Sequence, residues 1–150
     1  MVRSKLCNFR QIQSGMTSQI VYLGDLRTEA LHCSSKTTIE TDAPVDNQGK
    51  GERFSPTDLV ATALGSCMLT IMGIAARTHQ ISLEGTKIEI EKIMIADPMR
   101  RIGEIKVHFH FPEGHTYNDK EKVILEKAAL TCPVFLSLHE QTIKTVHFNW

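Results

Sequence analysis

The sequence predicts an α+β domain in which strands wrap a long buried helix, and three observations predict it. Residues 56 to about 78 are mostly Ala, Leu, Met, Ile and Val, apolar around most of a helical circumference, as in a helix covered from several sides. Segments of β-rich or alternating character lie on both sides of that helix. A second, capped helix and a closing strand follow, giving the order strands, long helix, strands, helices, strand, which suits an α+β architecture.

The first elements are short strands. Residues 18–23 and 26–33 have strand character, with Gly24-Asp25 as a turn signal between them, so a hairpin is expected. Thr37 to Thr41 reads as a third strand. Asp42 to Arg53, rich in Gly, Asn, Asp and charge, reads as a loop.

That loop leads into Ser55-Pro56-Thr57-Asp58. These residues offer a capping hydroxyl, a proline at the first helical position and a carboxylate three residues after the cap. Lys87 to Ile95 then alternates. Ile105, Val107, Phe109 and Phe111 alternate against Lys106, His108 and His110, and the two strands are joined through Asp97-Pro98 to Gly103. Asn118 with Glu121 is a second cap, opening a helix to about Leu130. Pro133 marks a break before a short helical piece, and Thr142 to Phe148 is the closing strand.

At 150 residues the chain fits one domain spanning 1–150, long enough to bury roughly two thirds of its unfolded surface. Hydrophobic residues are 41% and charged residues 23%, the balance of an ordinary globular domain rather than a disordered one. Seventeen Lys and Arg cancel seventeen Asp and Glu with no long run of one sign, which argues against a nucleic-acid or anionic membrane partner. Residues 1–20 lack the apolar stretch of a signal peptide, and no run of about 18 apolar residues is expected to span a bilayer. A cytoplasmic location is expected. A helix apolar on most sides is hard to cover within one such domain, so a second subunit is expected to cover part of it.

Four cysteines, Cys7, Cys33, Cys67 and Cys132, are far apart with no CxxC pair, which argues against a zinc knuckle or thioredoxin-type motif. In a reducing compartment such cysteines are free thiols or transient disulfides more often than staples. Cys67 lies in Gly65-Ser66-Cys67-Met68, about three turns into the central helix, beyond the reach of its N-terminal partial charge. To act as a thiolate at neutral pH it needs a nearby cation. Both Cys67 and Cys132 also read as small core hydrophobes, since free cysteine is among the most buried residue types.

His108 and His110 share a strand face, but no third ligand stands at motif spacing, so no metal is expected. Leu64, Met68, Ile71 and Met72 read either as the lining of an apolar pocket or as plain core. Cys7 and Cys33 have no motif around them and receive no role.

Phe54-Ser55-Pro56-Thr57-Asp58-Leu59 through Ala63-Leu64-Gly65-Ser66-Cys67, with Thr131-Cys132-Pro133-Val134 about 65 residues after Cys67, resembles the family of osmotically induced protein C and organic hydroperoxide resistance protein (OsmC/Ohr). Leu26-Arg27-Thr28-Glu29-Ala30 and Thr41-Asp42-Ala43-Pro44 extend the likeness over nearly the whole chain. The resemblance implies an intertwined homodimer with two active sites at the subunit interface. It also implies cofactor-free reduction of organic hydroperoxides by a dithiol reductant, in oxidative-stress defence. Cys67 then matches the peroxidatic cysteine, Cys132 the resolving one and Arg27 the arginine that stabilises the thiolate.

One position departs from the pattern. Hydroperoxide resistance proteins carry a glutamate ten residues before the peroxidatic cysteine, where this chain has Thr57. Asp58 and Glu52 are the nearby carboxylates that stand to orient the arginine instead, and Asp58 also reads as a helix-start residue. A ligand-binding module or a redox sensor on the same fold is the alternative.

Overall fold

A two-residue turn decides where the candidate site residues of the first sheet fall. Asp25 and Leu26 both adopt positive φ (49° and 60°), the geometry that matches the twist of a tight hairpin. Leu26, expected to open the second strand, is thus the second turn residue. The turn joins β1 (Ser18–Gly24) to β2 (Arg27–His32), and β3 (Thr38–Asp42) pairs antiparallel on the other side of β2. The structure, a computed structural model, describes residues 15–150. Cys7 lies outside the described residues.

The chain divides into two compact units, Met1–Thr57 and Asp58–Trp150. Its fold class is α+β, with two three-stranded sheets and one long helix. In the first unit, β1, β2 and β3 form a sheet whose register sets Arg27 opposite Asp42 and Thr28 opposite Thr41. A short 3-10 turn (Val45–Asn47) shapes the loop that follows.

The long helix, α1 (Pro56–His79), starts at the expected proline. It ends in a left-handed residue, Gln80 (φ 57°). Ile81 N–H donates back to Ala76 O (2.8 Å) and Gln80 N–H to Arg77 O (3.4 Å), which satisfies carbonyls the helix end leaves open. By length and composition α1 passes for a membrane span, contrary to expectation, because Gly, Ser and Thr interrupt its apolar run without adding charge. Leu64, Met68 and Met72 are nevertheless fully buried in the core of the second unit, the position of a core helix.

The second unit is built on β4 (Lys87–Ile95), β5 (Arg101–His110) and β6 (Ile143–Asn149). β5 is central, antiparallel to β4 and parallel to β6. A parallel pair needs a crossover, supplied by α2 (Asp119–Leu130) and α3 (Pro133–Ser137). Ile105, Val107 and Phe109 are buried on one face of β5, as the alternation predicts. β5 begins earlier than expected, at Arg101. Gly103, which reads as linker, lies inside the strand, where a Cβ would meet Ile95 at 2.5 Å.

α2 carries the expected reciprocal cap: Asn118 Oδ1 accepts from Glu121 N–H (3.0 Å) and Glu121 accepts from Asn118 N–H (2.9 Å). Gly65, two residues before Cys67, lets α1 approach β4, since a Cβ there would come within 2.7 Å of Ile90. That close approach fixes the level at which Cys67 leaves the helix.

Candidate active site

The two cysteines both lie in the second unit. Cys67, on α1, is partly exposed and packs against the core cluster. Cys132, in the break between α2 and α3, is fully buried. Both belong to one packed cluster, Cys132 within it and Cys67 against it, and Cys67 is near enough to bear on the Cys132 thiol.

Pro133 at the first helical position ends α2 and turns the chain, which presents Cys132 toward α1. Its Sγ accepts a hydrogen bond from Phe135 N–H (3.3 Å), capping α3. Burial pushes the Cys132 thiol above its ordinary value. The Phe135 N–H bond pulls the other way, and the hydrogen bond and charge of Cys67 add to the upward shift. Cys132 is therefore favoured as a protonated thiol in the folded chain, which leaves the more exposed Cys67 as the first of the two to react.

Arg27 sits in the first unit, immediately after the hairpin turn. Its Nε donates to Asp42 Oδ1 (2.6 Å), and its Nη2 donates to Asp42 Oδ2 (2.7 Å) and Glu52 Oε2 (2.6 Å). These bonds raise its pKa further above the ordinary arginine range. The hydrogen bond from Arg27 holds the Asp42 carboxyl below the usual carboxylate value despite the opposing cost of its burial. Asp42 is 2% exposed and Glu52 57%.

Glu52 thus reaches the arginine, as the sequence allows. Asp58, in the first turn of α1, accepts an ion pair from Lys92 of β4 (2.6 Å). Thr57 shares a hydrogen bond with the Ser55 hydroxyl (3.0 Å). Asp42 was missed by sequence reasoning because it reads as the first residue of a loop. The available signal was register: a hairpin turn at residues 25–26 and a pairing of residues 28 and 41 bring residues 27 and 42 face to face.

Leu64, Met68 and Met72 fill the core and line no opening. A cavity of about 490 Å³ beside the C-terminal half of α1, lined by Thr70, Ile74, Arg77 and Glu84 among others, includes neither cysteine. His108 stacks on His147 (4.8 Å) and His110 pairs with Glu89 (3.1 Å). Among the described residues no group of three or more His, Cys, Asp or Glu is arranged to hold a metal ion.

Comparison with known proteins bears on the family and the fold. The family model for OsmC-like protein matches residues 49–147. Among solved structures, an osmotic stress induced and detoxification response protein from Psychrobacter arcticus, so designated provisionally, is 50% identical, covering 92% of this chain and 98% of its own, with a TM-score of 0.85. An organic hydroperoxide resistance protein OsmC from Legionella pneumophila is 16% identical, covering 92% and 100% (TM-score 0.72). One from Elizabethkingia anophelis is 15% identical, covering 92% and 99% (TM-score 0.69). The last two share the fold. Nothing among curated protein sequences matches the chain.

Proposed function

The chain belongs to the family of OsmC-like proteins, and from that premise we propose that it is a thiol-dependent peroxidase reducing organic hydroperoxides to alcohols. The observation that carries this reading is that Cys67 and Cys132, 65 positions apart in sequence, share one packed cluster in the fold, with Cys67 near enough to bear on the Cys132 thiol.

The chemistry follows from the asymmetry of the pair. The more exposed Cys67, as thiolate, attacks the distal oxygen of the hydroperoxide. The O–O bond breaks, and the alkoxide leaves as alcohol after taking a proton. Cys67 is then a sulfenic acid. The Cys132 sulfur attacks it, water leaves, and a Cys67–Cys132 disulfide forms. A dithiol reductant restores both thiols by exchange and is itself oxidised to a disulfide.

The resemblance to the family assigns to Arg27, which has Glu52 among its partners, the role of the permanent cation that a thiolate three turns into a helix requires. Asp58, paired with Lys92, serves the start of α1. The working protein is a homodimer in the cytoplasm. Ile20, Tyr22 and Ile39 on the first sheet and Ile74 on α1 are more than half exposed, apolar surface of the kind a second copy covers.

The reading is tested by adding one equivalent of cumene hydroperoxide to the reduced protein and mapping the peptides without reduction. A Cys67–Cys132 disulfide, absent from Cys67→Ser, is expected. Its absence from the wild type, with both thiols intact, overturns the proposal.

A further inference from the structure

Arg27 is gripped along one edge. Asp42 takes Nε with one oxygen and Nη2 with the other, the two-pronged pairing that fixes a guanidinium in direction as well as distance. The same Asp42 Oδ2 accepts the backbone N–H of Glu52 (3.1 Å). Asp42 N–H donates to Phe54 O (3.2 Å), and the next residue, Ala43, donates to Leu26 O (3.1 Å). The nearly inaccessible Asp42 carboxylate therefore ties Arg27 to the loop at Glu52, and the backbone of residues 42 and 43 ties the end of β3 to the hairpin turn and to Phe54. Glu52 makes a single bond to Arg27 from a solvent-exposed position, where water screens the pair. Nη1 has no hydrogen-bond partner among the described residues.

The charge count matters here. One guanidinium between two carboxylates carries a formal net charge of −1, so the cluster as a whole does not attract an anion through its diffuse field. What Arg27 offers an anion must come from a directed N–H at hydrogen-bond range. Direction is what the two-pronged contact supplies, and a lysine cannot form it.

We infer that Asp42 is the positioning residue for Arg27: by holding the Nε–Nη2 edge it leaves Nη1 as the donor for an anion, the service for which the family pattern places a glutamate at the position of Thr57. The inference rests on the peroxidase reading above.

The test uses the full-length reduced protein with cumene hydroperoxide and excess dithiothreitol, comparing Arg27→Ala, Arg27→Lys, Asp42→Asn, Glu52→Gln and the double variant Asp42→Asn/Arg27→Ala. Misplacing a reacting group costs on the order of 100-fold. Asp42→Asn, Arg27→Ala and Arg27→Lys are each expected to lose about that much in kcat/KM, and the double variant no more than Arg27→Ala alone, because Asp42 acts through Arg27. Glu52→Gln, which removes one solvent-exposed contact, is expected to lose less than Asp42→Asn. A second readout is independent of turnover. The Arg27 Nε–H resonance should exchange slowly in the wild type and Glu52→Gln, and lose that protection in Asp42→Asn.

Asp42→Asn at full rate while Arg27→Ala is impaired overturns the inference, as does an Arg27→Lys variant at full rate, which also decides the matter where Asp42→Asn does not fold. If the wild type itself consumes no peroxide, the peroxidase reading fails. The Nε–H exchange then decides whether Asp42 holds Arg27.

Discussion

Cys132 Sγ accepts the backbone N–H of Phe135 at 3.3 Å, so the cysteine proposed to resolve the sulfenic acid is also the cap of α3. Fully buried, and with its pKa raised chiefly by that burial, it should resist alkylation while the more accessible Cys67 reacts. With iodoacetamide at neutral pH on the native reduced protein, peptide mapping should find Cys67 modified first and Cys132 modified only on unfolding. Equal rates at the two positions would contradict the asymmetry on which their assignment rests.

The same shift predicts an alkaline limit to stability. A thiol whose folded pKa lies above its unfolded value contributes fully below the unfolded value, ordinarily 9.0, and loses that contribution as pH rises through the folded one. Melting temperatures of wild type and Cys132→Ser should therefore draw together, relative to their separation at pH 7, as the pH is taken above 9. A separation that does not change with pH would remove this linkage.

Asp42 has the opposite sign. Its folded pKa is held below the ordinary 3.8, first by the hydrogen bond from Arg27. Its contribution is thus complete above that value and is lost as pH falls through the lowered one. Asp42→Asn should melt below wild type at pH 7, and the difference should close in the acid range. A constant difference down to pH 2 would show that the carboxylate charge is not what stabilises the loop.

Much of this arrangement was legible in the sequence, for local reasons. The alternation of Ile105, Val107 and Phe109, the Ser55-Pro56 helix start and the reciprocal cap of Asn118 and Glu121 are signals carried by neighbouring residues. What escaped depends on distant partners. Asp42 acquires its importance only through strand register with Arg27, fifteen residues away. The start of β5 was hidden by Gly103, whose lack of a side chain weakens a strand signal but is required against Ile95. That Cys132 joins the cluster against which Cys67 packs depends on α2 and the Pro133 break folding back onto α1, and no short window of sequence contains it.

The core of the second unit offers a test of the fold itself. Phe109 is fully buried near the end of the central strand β5 and stacks on Phe148 with centroids 4.9 Å apart. Phe109→Ala should cost about 3–5 kcal/mol, from lost transfer energy and the cavity left behind. In urea unfolding this should appear as a lower midpoint at an unchanged slope. A loss under about 1 kcal/mol would mean that the site collapses around the smaller residue.

The smaller cap on α2 should be felt as well. Replacing Asn118 by Ala removes the side-chain half of the reciprocal pair and should destabilise the protein by about 1 kcal/mol, without altering the reactivity of Cys67. A change in Cys67 alkylation rate in Asn118→Ala would indicate that α2 is more tightly coupled to the thiol pair than its cap implies.

The most direct test of the central claim is a thiol count made alongside peroxide consumption, in a single turnover without added reductant. With cumene hydroperoxide in excess, the wild type should consume one peroxide and lose two thiols per chain, recovered by dithiothreitol. Cys67→Ser should consume none, and Cys132→Ser should consume peroxide without forming the intramolecular disulfide. Unchanged thiols and no peroxide consumed by the wild type would contradict the peroxidase and leave a ligand-binding module on this fold in its place.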